Sequence, residues 1–179
     1  MKPKSNSPFL VNLHELPRRA GEMRFYHLEF PAPESIGTPM LAIRSGEKLV
    51  IDFKAEAVSD GILLSGEVVS KAEGECGRCL DPVQHQVNQE FRELFLYESR
   101  KSENEEDDEE LFALDGDIAD IETPIRDAVV LTMPLNPLCK IDCRGLCSEC
   151  GERWESLPVD HSHEKIDPRW SGLAGWQPK

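Results

Sequence analysis

The chain has 179 residues, 39% of them apolar and 30% charged, and a net charge of -14 at pH 7. That length suits one domain able to bury roughly 70% of its unfolded surface, and no apolar run approaches the ~20 residues of a membrane span. Acidity on this scale opposes non-specific binding to phosphate backbones.

The charge is uneven. Residues 1–24 carry +3, residues 139–179 carry -1, and residues 25–138 hold -16. These limits also mark the expected organisation: an N-terminal segment (1–24), a core domain (25–138) and a C-terminal module (139–179) rich in Cys, His and Trp. Met1 to Pro8 is polar, has two lysines and lacks the apolar centre of a secretory signal. The expected compartment is therefore the cytoplasm. Thiols stay reduced there, and clustered cysteines read as metal or redox sites rather than disulfides.

Within Phe9–Arg24, Asn12-Leu-His-Glu-Leu reads as a short strand closing in a helical turn before Pro17. Phe25–Phe30 reads as a strand, Pro31–Thr38 as a loop, and Met40–Arg44 as another short strand. From Leu49, apolar Leu49, Ile51, Phe53, Ala55 and Ala57 alternate with Val50, Asp52, Lys54 and Glu56, the period of a half-buried strand. Ser59-Asp60-Gly61 is a hairpin turn, and Ile62–Ala72 is its second arm. Val83, Val87, Phe91, Phe95 and Tyr97 share one parity of a third run. Three strands joined by short links make an antiparallel meander. Its second link, Gly74 to Pro82, carries Cys76 and Cys79.

Lys101–Glu110 carries -6 and self-repels, so it is expected to be a disordered loop. Ile121, Ile125, Ala128, Val129, Thr132 and Met133 then recur at helical spacing. Thr123 is the expected N-cap and Pro124 the first helical residue; Pro134 and Pro137 end the helix. The segment from Leu138 onward has too little apolar mass to fold alone, so it needs a metal or a neighbour to dock on. Its Trp154, Trp170 and Trp176 are apolar anchors or an aromatic binding surface.

All six cysteines fall in two places. Cys76-x2-Cys79 is one; Cys139, Cys143, Cys147 and Cys150 are the other, followed by His161-x-His163. A C-x2-C turn delivers two thiolates to one ion, and zinc takes four tetrahedral N/S ligands. Cys147-Ser-Glu-Cys150-Gly151 has the form of a zinc knuckle, with glycine placed for a positive-φ turn. One expected site is Cys147, Cys150, His161 and His163. By elimination the other is Cys76, Cys79, Cys139 and Cys143, so that one or two structural zinc ions tie the hairpin tip to the exit of the helix. The competing reading makes some of these thiols small buried hydrophobes, Cys139 and Cys143 most readily, and the two histidines polar tail residues. His14, His27 and His85 stand alone and read as surface or core residues.

A redox C-x2-C sits on a helix N-terminus, whereas Cys76-Gly-Arg-Cys79 lies between two strands. There is no phosphate loop, G-x-S-x-G elbow or H-E-x-x-H. No catalytic residue, enzymatic activity or small-molecule substrate is expected. Arg144-Gly-Leu reads as a basic, flexible link inside the cysteine cluster.

Three stretches together resemble the YceD family of large ribosomal RNA subunit accumulation proteins: Glu75-Cys-Gly-Arg-Cys-Leu-Asp-Pro82, Leu131 to Gly151 with its P-L-C-K-I-D-C-R-G-L-C-S-E-C-G run, and Ile166-Asp-Pro-Arg-Trp-Ser-Gly-Leu173. The resemblance implies a non-enzymatic, cytoplasmic or organellar factor needed for large-subunit ribosomal RNA to accumulate. Metal-type relatives carry C-x-C after the knuckle, where this chain has His161-Ser-His163. That departure keeps a ligand set and favours zinc over an iron–sulfur cluster, held mainly by thiolates. Other members lack most of the C-terminal cysteines, which implies a structural role for the metal.

The expected fold is α+β: an antiparallel meander, a packed helix and a zinc-stabilised C-terminal module. The expected function is ribosome biogenesis by binding a ribosomal protein or a large-subunit precursor. The alternative is a zinc-dependent adaptor contacting RNA directly through Arg144, Arg153, Trp154 and the tail.

Overall fold

The computed structural model describes residues 7–97, 112–163 and 169. The acidic stretch 101–110 and Trp170 and Trp176 lie outside the described residues. The elements, in order, are β1 (Leu10–Asn12), β2 (Met23–Pro31), β3 (Ile36–Gly37), β4 (Leu41–Ile43), β5 (Lys48–Ala57), β6 (Gly61–Glu75), β7 (Pro82–Leu96), β8 (Phe112–Ala113), β9 (Ile118–Asp120) and α1 (Glu122–Thr132). Among the described residues the architecture is mostly antiparallel β with one α-helix.

The meander is β5–β6–β7. Ala57 pairs with Ile62 across the first turn, closed by the Val58 N–H donating to the Gly61 carbonyl at 2.9 Å. β6 and β7 then pair over their whole length, from Gly61 opposite Leu96 to Glu75 opposite Pro82. At 15 residues each these arms are about three times an ordinary strand, and they carry the second link well beyond β5. The far edge of β6 is shared: β5 pairs with Ile62–Val69 and β4 with Glu73–Gly74. β2 adds to β5, β3 to β4, and β8 runs parallel to the end of β7. β1 and β9 form a separate two-stranded ladder.

The alternation in the sequence sets the buried face. Leu49, Ile51, Phe53, Ala55 and Ala57 from β5, Ile62, Leu64, Val68 and Ala72 from β6, and Val87, Phe91 and Phe95 from β7 are buried in one cluster. Phe9, Val11, Leu13 and Leu16 join it from the N-terminal side, and Ile121, Ile125, Val129 and Met133 from α1 and its flanks. Phe9 meets Phe30 edge-on at 5.0 Å and Tyr26 stacks on Phe53 at 5.2 Å, pairs worth about 0.5–1.5 kcal/mol each beyond their burial.

The helix starts earlier than its sequence suggests. Ile121, not Thr123, is the N-cap, with no side-chain cap of its own. The Asp120 carboxylate does that work, accepting the Glu122 N–H at 3.1 Å, while fully buried Ile121 anchors the entry. Pro124 falls at the third helical position, where the missing N–H still has no intrahelical carbonyl to serve. Met133 turns to extended backbone before Pro134, as a residue preceding proline prefers. α1 packs on β7 and β3, so its exit releases the chain toward the tip of the β6–β7 hairpin. Among the described residues no helix is long and apolar enough to cross a membrane.

Candidate metal centres

The structure gathers the eight candidate ligands into two groups of four. Cys76, Cys79, Cys139 and Cys143 form one; Cys147, Cys150, His161 and His163 form the other; within each group the ligand atoms lie within 4.8 Å of one another. Both groups are the sets expected from spacing, and both can hold a metal ion.

The separations suit a shared ion. Cys76 Sγ is 3.8 Å from Cys143 Sγ, and Cys79 Sγ is 3.5 Å from Cys139 Sγ. A disulfide would need about 2.05 Å. Four thiolates placed about 2.3 Å from a tetrahedral ion stand about 3.8 Å apart. In the second group Cys150 Sγ lies 3.7 Å from His161 Nε2, against about 3.6 Å for a sulfur and an imidazole nitrogen on one such ion.

The two C-x2-C turns are built alike. In the first, the Leu80 N–H donates to the Cys76 carbonyl and the Cys76 N–H to that of Asp81; in the second, Gly151 donates to Cys147 and Cys147 to Glu152. In each, the residue after the second cysteine takes positive φ: 63° at Leu80 and 74° at Gly151. The spacing and the glycine made the second knuckle legible. Leu80 hid the first, because a leucine gives no sign of left-handed backbone. Such a conformation costs a non-glycine residue of order 1–3 kcal/mol. Leu80→Ile, β-branched and still less tolerant of positive φ, is expected to cost about 1–2 kcal/mol, with Leu80→Gly within about 0.5 kcal/mol of wild type, read by denaturant melts of the metal-loaded protein.

The tip docks on the C-terminal module through backbone as well as cysteine. Gly77 N–H donates to the Pro137 carbonyl at 2.8 Å, Leu146 N–H to that of Arg78 at 3.1 Å, and Arg78 Nη1 to the Cys143 carbonyl at 2.8 Å. Gly145 is not the flexible link its sequence suggests. It is buried at φ 78°, and a Cβ there would come within 2.8 Å of the Arg78 carbonyl oxygen, so only glycine lets the two loops close. Arg153 grips Asp81 with both guanidinium nitrogens, one at 2.7 Å, and Lys140 pairs with Glu155. Val83, Leu138 and Leu146 pack around Cys76, Cys79 and Cys143 in a small cluster of their own.

Electrostatics separate the thiols. Burial works against the Cys76 thiolate, but backbone N–H groups of Cys139, Arg78 and Cys79 hold its pKa down to about 6. The N–H groups of Cys150 and Glu149 do the same for Cys147, also to about 6. The Asp81 N–H favours a Cys79 thiolate, yet burial and three neighbouring thiols push it up to about 12. Like charges in one small cage cannot all ionise without a cation, which is the condition a metal removes. The Arg153 guanidinium holds the Asp81 carboxyl down to about 2.

The other candidates disperse. His14 pairs with Asp117 and His27 with Asp52 at the surface, and half-buried His85 borders a groove with Val83 and Ile141. Trp154 is half-buried against the edge of His161.

The model of the family described as large ribosomal RNA subunit accumulation protein YceD matches residues 64–176, a span that holds both groups of ligands. An uncharacterized protein of Mycobacterium tuberculosis is 40% identical over 168 residues, covering 94% of this chain and 81% of its own. One of Mycobacterium bovis matches to the same extent. One of Mycobacterium leprae is 36% identical over 171 residues, covering 94% and 77%. No solved structure matches.

Proposed function

Because the chain belongs to the YceD family, whose name ties its members to accumulation of large-subunit ribosomal RNA, we propose that it is a non-enzymatic, cytoplasmic ribosome biogenesis factor. It acts by binding a large-subunit precursor or one of its basic proteins. Two structural zinc ions, one on Cys76, Cys79, Cys139 and Cys143 and one on Cys147, Cys150, His161 and His163, hold its C-terminal module.

The observation that carries the structural part is where the cysteines sit. They join a hairpin tip, a helix exit and a chain segment poor in apolar residues, and they face one another. Soft thiolates with imidazole at tetrahedral spacing match the preferences of zinc. When bound, the ion supplies charge balance and a fixed crossing point for three loops, and no proton transfer is asked of it.

The partner follows from charge. Residues 25–138 carry -16, which favours rapid, salt-sensitive encounter with a basic surface. The test is co-sedimentation of the tagged chain with large-subunit precursors. Neutralising the seven acids between Glu103 and Glu110 to their amides is expected to reduce association about tenfold at low salt. Association unchanged by those substitutions would exclude the acidic contact. Unaltered large-subunit RNA levels on depletion of the protein would exclude the function.

A further inference from the structure

A cleft of about 440 Å³ opens between Cys143 of the first candidate centre and Trp154, which packs on His161 of the second; it is lined by Arg78, Asp142, Cys143, Arg144 and Trp154. Its volume is in the range of a site for one small ligand. We propose that it takes one nucleotide of single-stranded RNA, the base stacked on Trp154 and the phosphate held between Arg78 and Arg144. The proposal rests on the functional reading above and names the part of the precursor that this chain touches.

Four cations border the junction, and they divide into two kinds. Arg153 is committed to Asp81 and Lys140 to Glu155. Arg78 and Arg144 have no carboxylate at ion-pair distance among the described residues, and both are exposed. Arg78 spends one nitrogen on the Cys143 carbonyl, which aims its guanidinium while leaving further donors, since the group carries five N–H bonds in a fixed fork.

Trp154 is fixed as well. Its backbone N–H donates to the Gly145 carbonyl at 3.1 Å, and its ring meets His161 edge-on with centroids 5.5 Å apart. An aromatic ring beside two guanidinium groups that have no carboxylate partner among the described residues is the combination that binds a stacked base and its phosphate. Asp142 discriminates further. Its carboxylate repels a bare polyanion but accepts the exocyclic amino group of a base.

The cleft is a joint product of both centres. Cys143 belongs to the first, and Trp154 leans on His161 of the second. Emptying either centre is therefore expected to abolish nucleotide binding before it disrupts the sheet.

The experiment titrates the zinc-loaded full chain into a fluorescein-labelled single-stranded 12-mer RNA, reading anisotropy and Trp fluorescence. The expected result is salt-dependent binding that Trp154→Ala weakens about 5- to 150-fold. Arg144→Ala should weaken it with a salt slope smaller by about 1. Among the described residues the Arg144 side chain donates no hydrogen bond, so that variant should keep its melting temperature. AMP and GMP titrated alone distinguish a free-nucleotide site from one that needs the strand: saturation by either mononucleotide with no gain from the 12-mer overturns the RNA assignment.

Polyglutamate binding in place of RNA, RNA affinity unchanged in both variants, or loss of zinc instead of RNA affinity in Arg144→Ala would each overturn the proposal. The last outcome would assign the arginines to balancing the thiolates. A chain that co-sediments with precursors yet ignores RNA refutes the cleft alone. RNA binding through Trp154 without any precursor association refutes the functional reading instead.

Discussion

Replacing Cys143 with serine is expected to halve the zinc content of the chain, from two ions to one, and to release residues 133–163 from the hairpin tip. Cys143 is 4% exposed and its sulfur faces Cys76 across the first centre. Structural zinc carries an apparent binding energy of ~10–16 kcal/mol, as large as the ~5–15 kcal/mol that holds a whole domain together. The hydrogen bonds and ion pairs at the tip have little burial to support them, because among the described residues the further apolar packing around these thiols is Val83, Leu138 and Leu146.

The sheet, with a core of its own, should survive. Limited proteolysis of the variant should therefore cut between 133 and 163 and spare β5–β7. Wild-type zinc content and wild-type protease resistance in Cys143→Ser would refute the first centre. The second centre should empty first under a chelator, since Cys150 and His163 are exposed whereas three of the first centre's four thiols are buried. Simultaneous loss of both ions would contradict that order.

Ile125→Ala is expected to cost about 2–5 kcal/mol of unfolding free energy, the range for truncating a large aliphatic side chain in a packed core. Ile125 is fully buried on α1, the helix that delivers Cys139 to the hairpin tip. Because the candidate ligands all sit on loops outside the helix, the folded fraction should still bind two ions. Denaturant melts and metal analysis of the same preparation check both halves. A fall in zinc per folded chain would mean that α1 positions the centre more directly than its packing implies. A loss under 1 kcal/mol would mean that the core is looser than its burial indicates.

Much of the candidate site was legible without coordinates. C-x2-C at residues 76–79 and 147–150 is local chemistry: two thiols three residues apart reach one ion only if the turn between them closes, so the spacing itself is the signal. The alternation from Leu49 to Ala57 likewise fixes a face, because a strand has period 2. Other features left no such trace. Leu80 adopts the backbone that Gly151 adopts, and only the matched hydrogen bonds of the two turns reveal it. Arg153 and Asp81 are 72 residues apart, and no local pattern links two charges at that distance. The start of α1 moved because Asp120 supplied the cap from outside the periodic segment. Gly145 looked like slack and proved to be a contact, since what it must avoid is the carbonyl of Arg78 on another loop.

By itself the sequence determined which residues are candidate ligands, how they divide into two sets, the meander that carries one of them, and the family. Each of these rests on spacing or period, which short-range geometry converts directly into structure. Only the tertiary structure decided that β6 and β7 extend as one long arm to the exit of α1, that the loops of the two groups join through Leu146–Arg78 and Arg153–Asp81, and that Arg78, Arg144 and Trp154 share a cleft. Those facts depend on where separate loops meet, and such meetings are set by the packing of the whole core and not by any one segment of the chain.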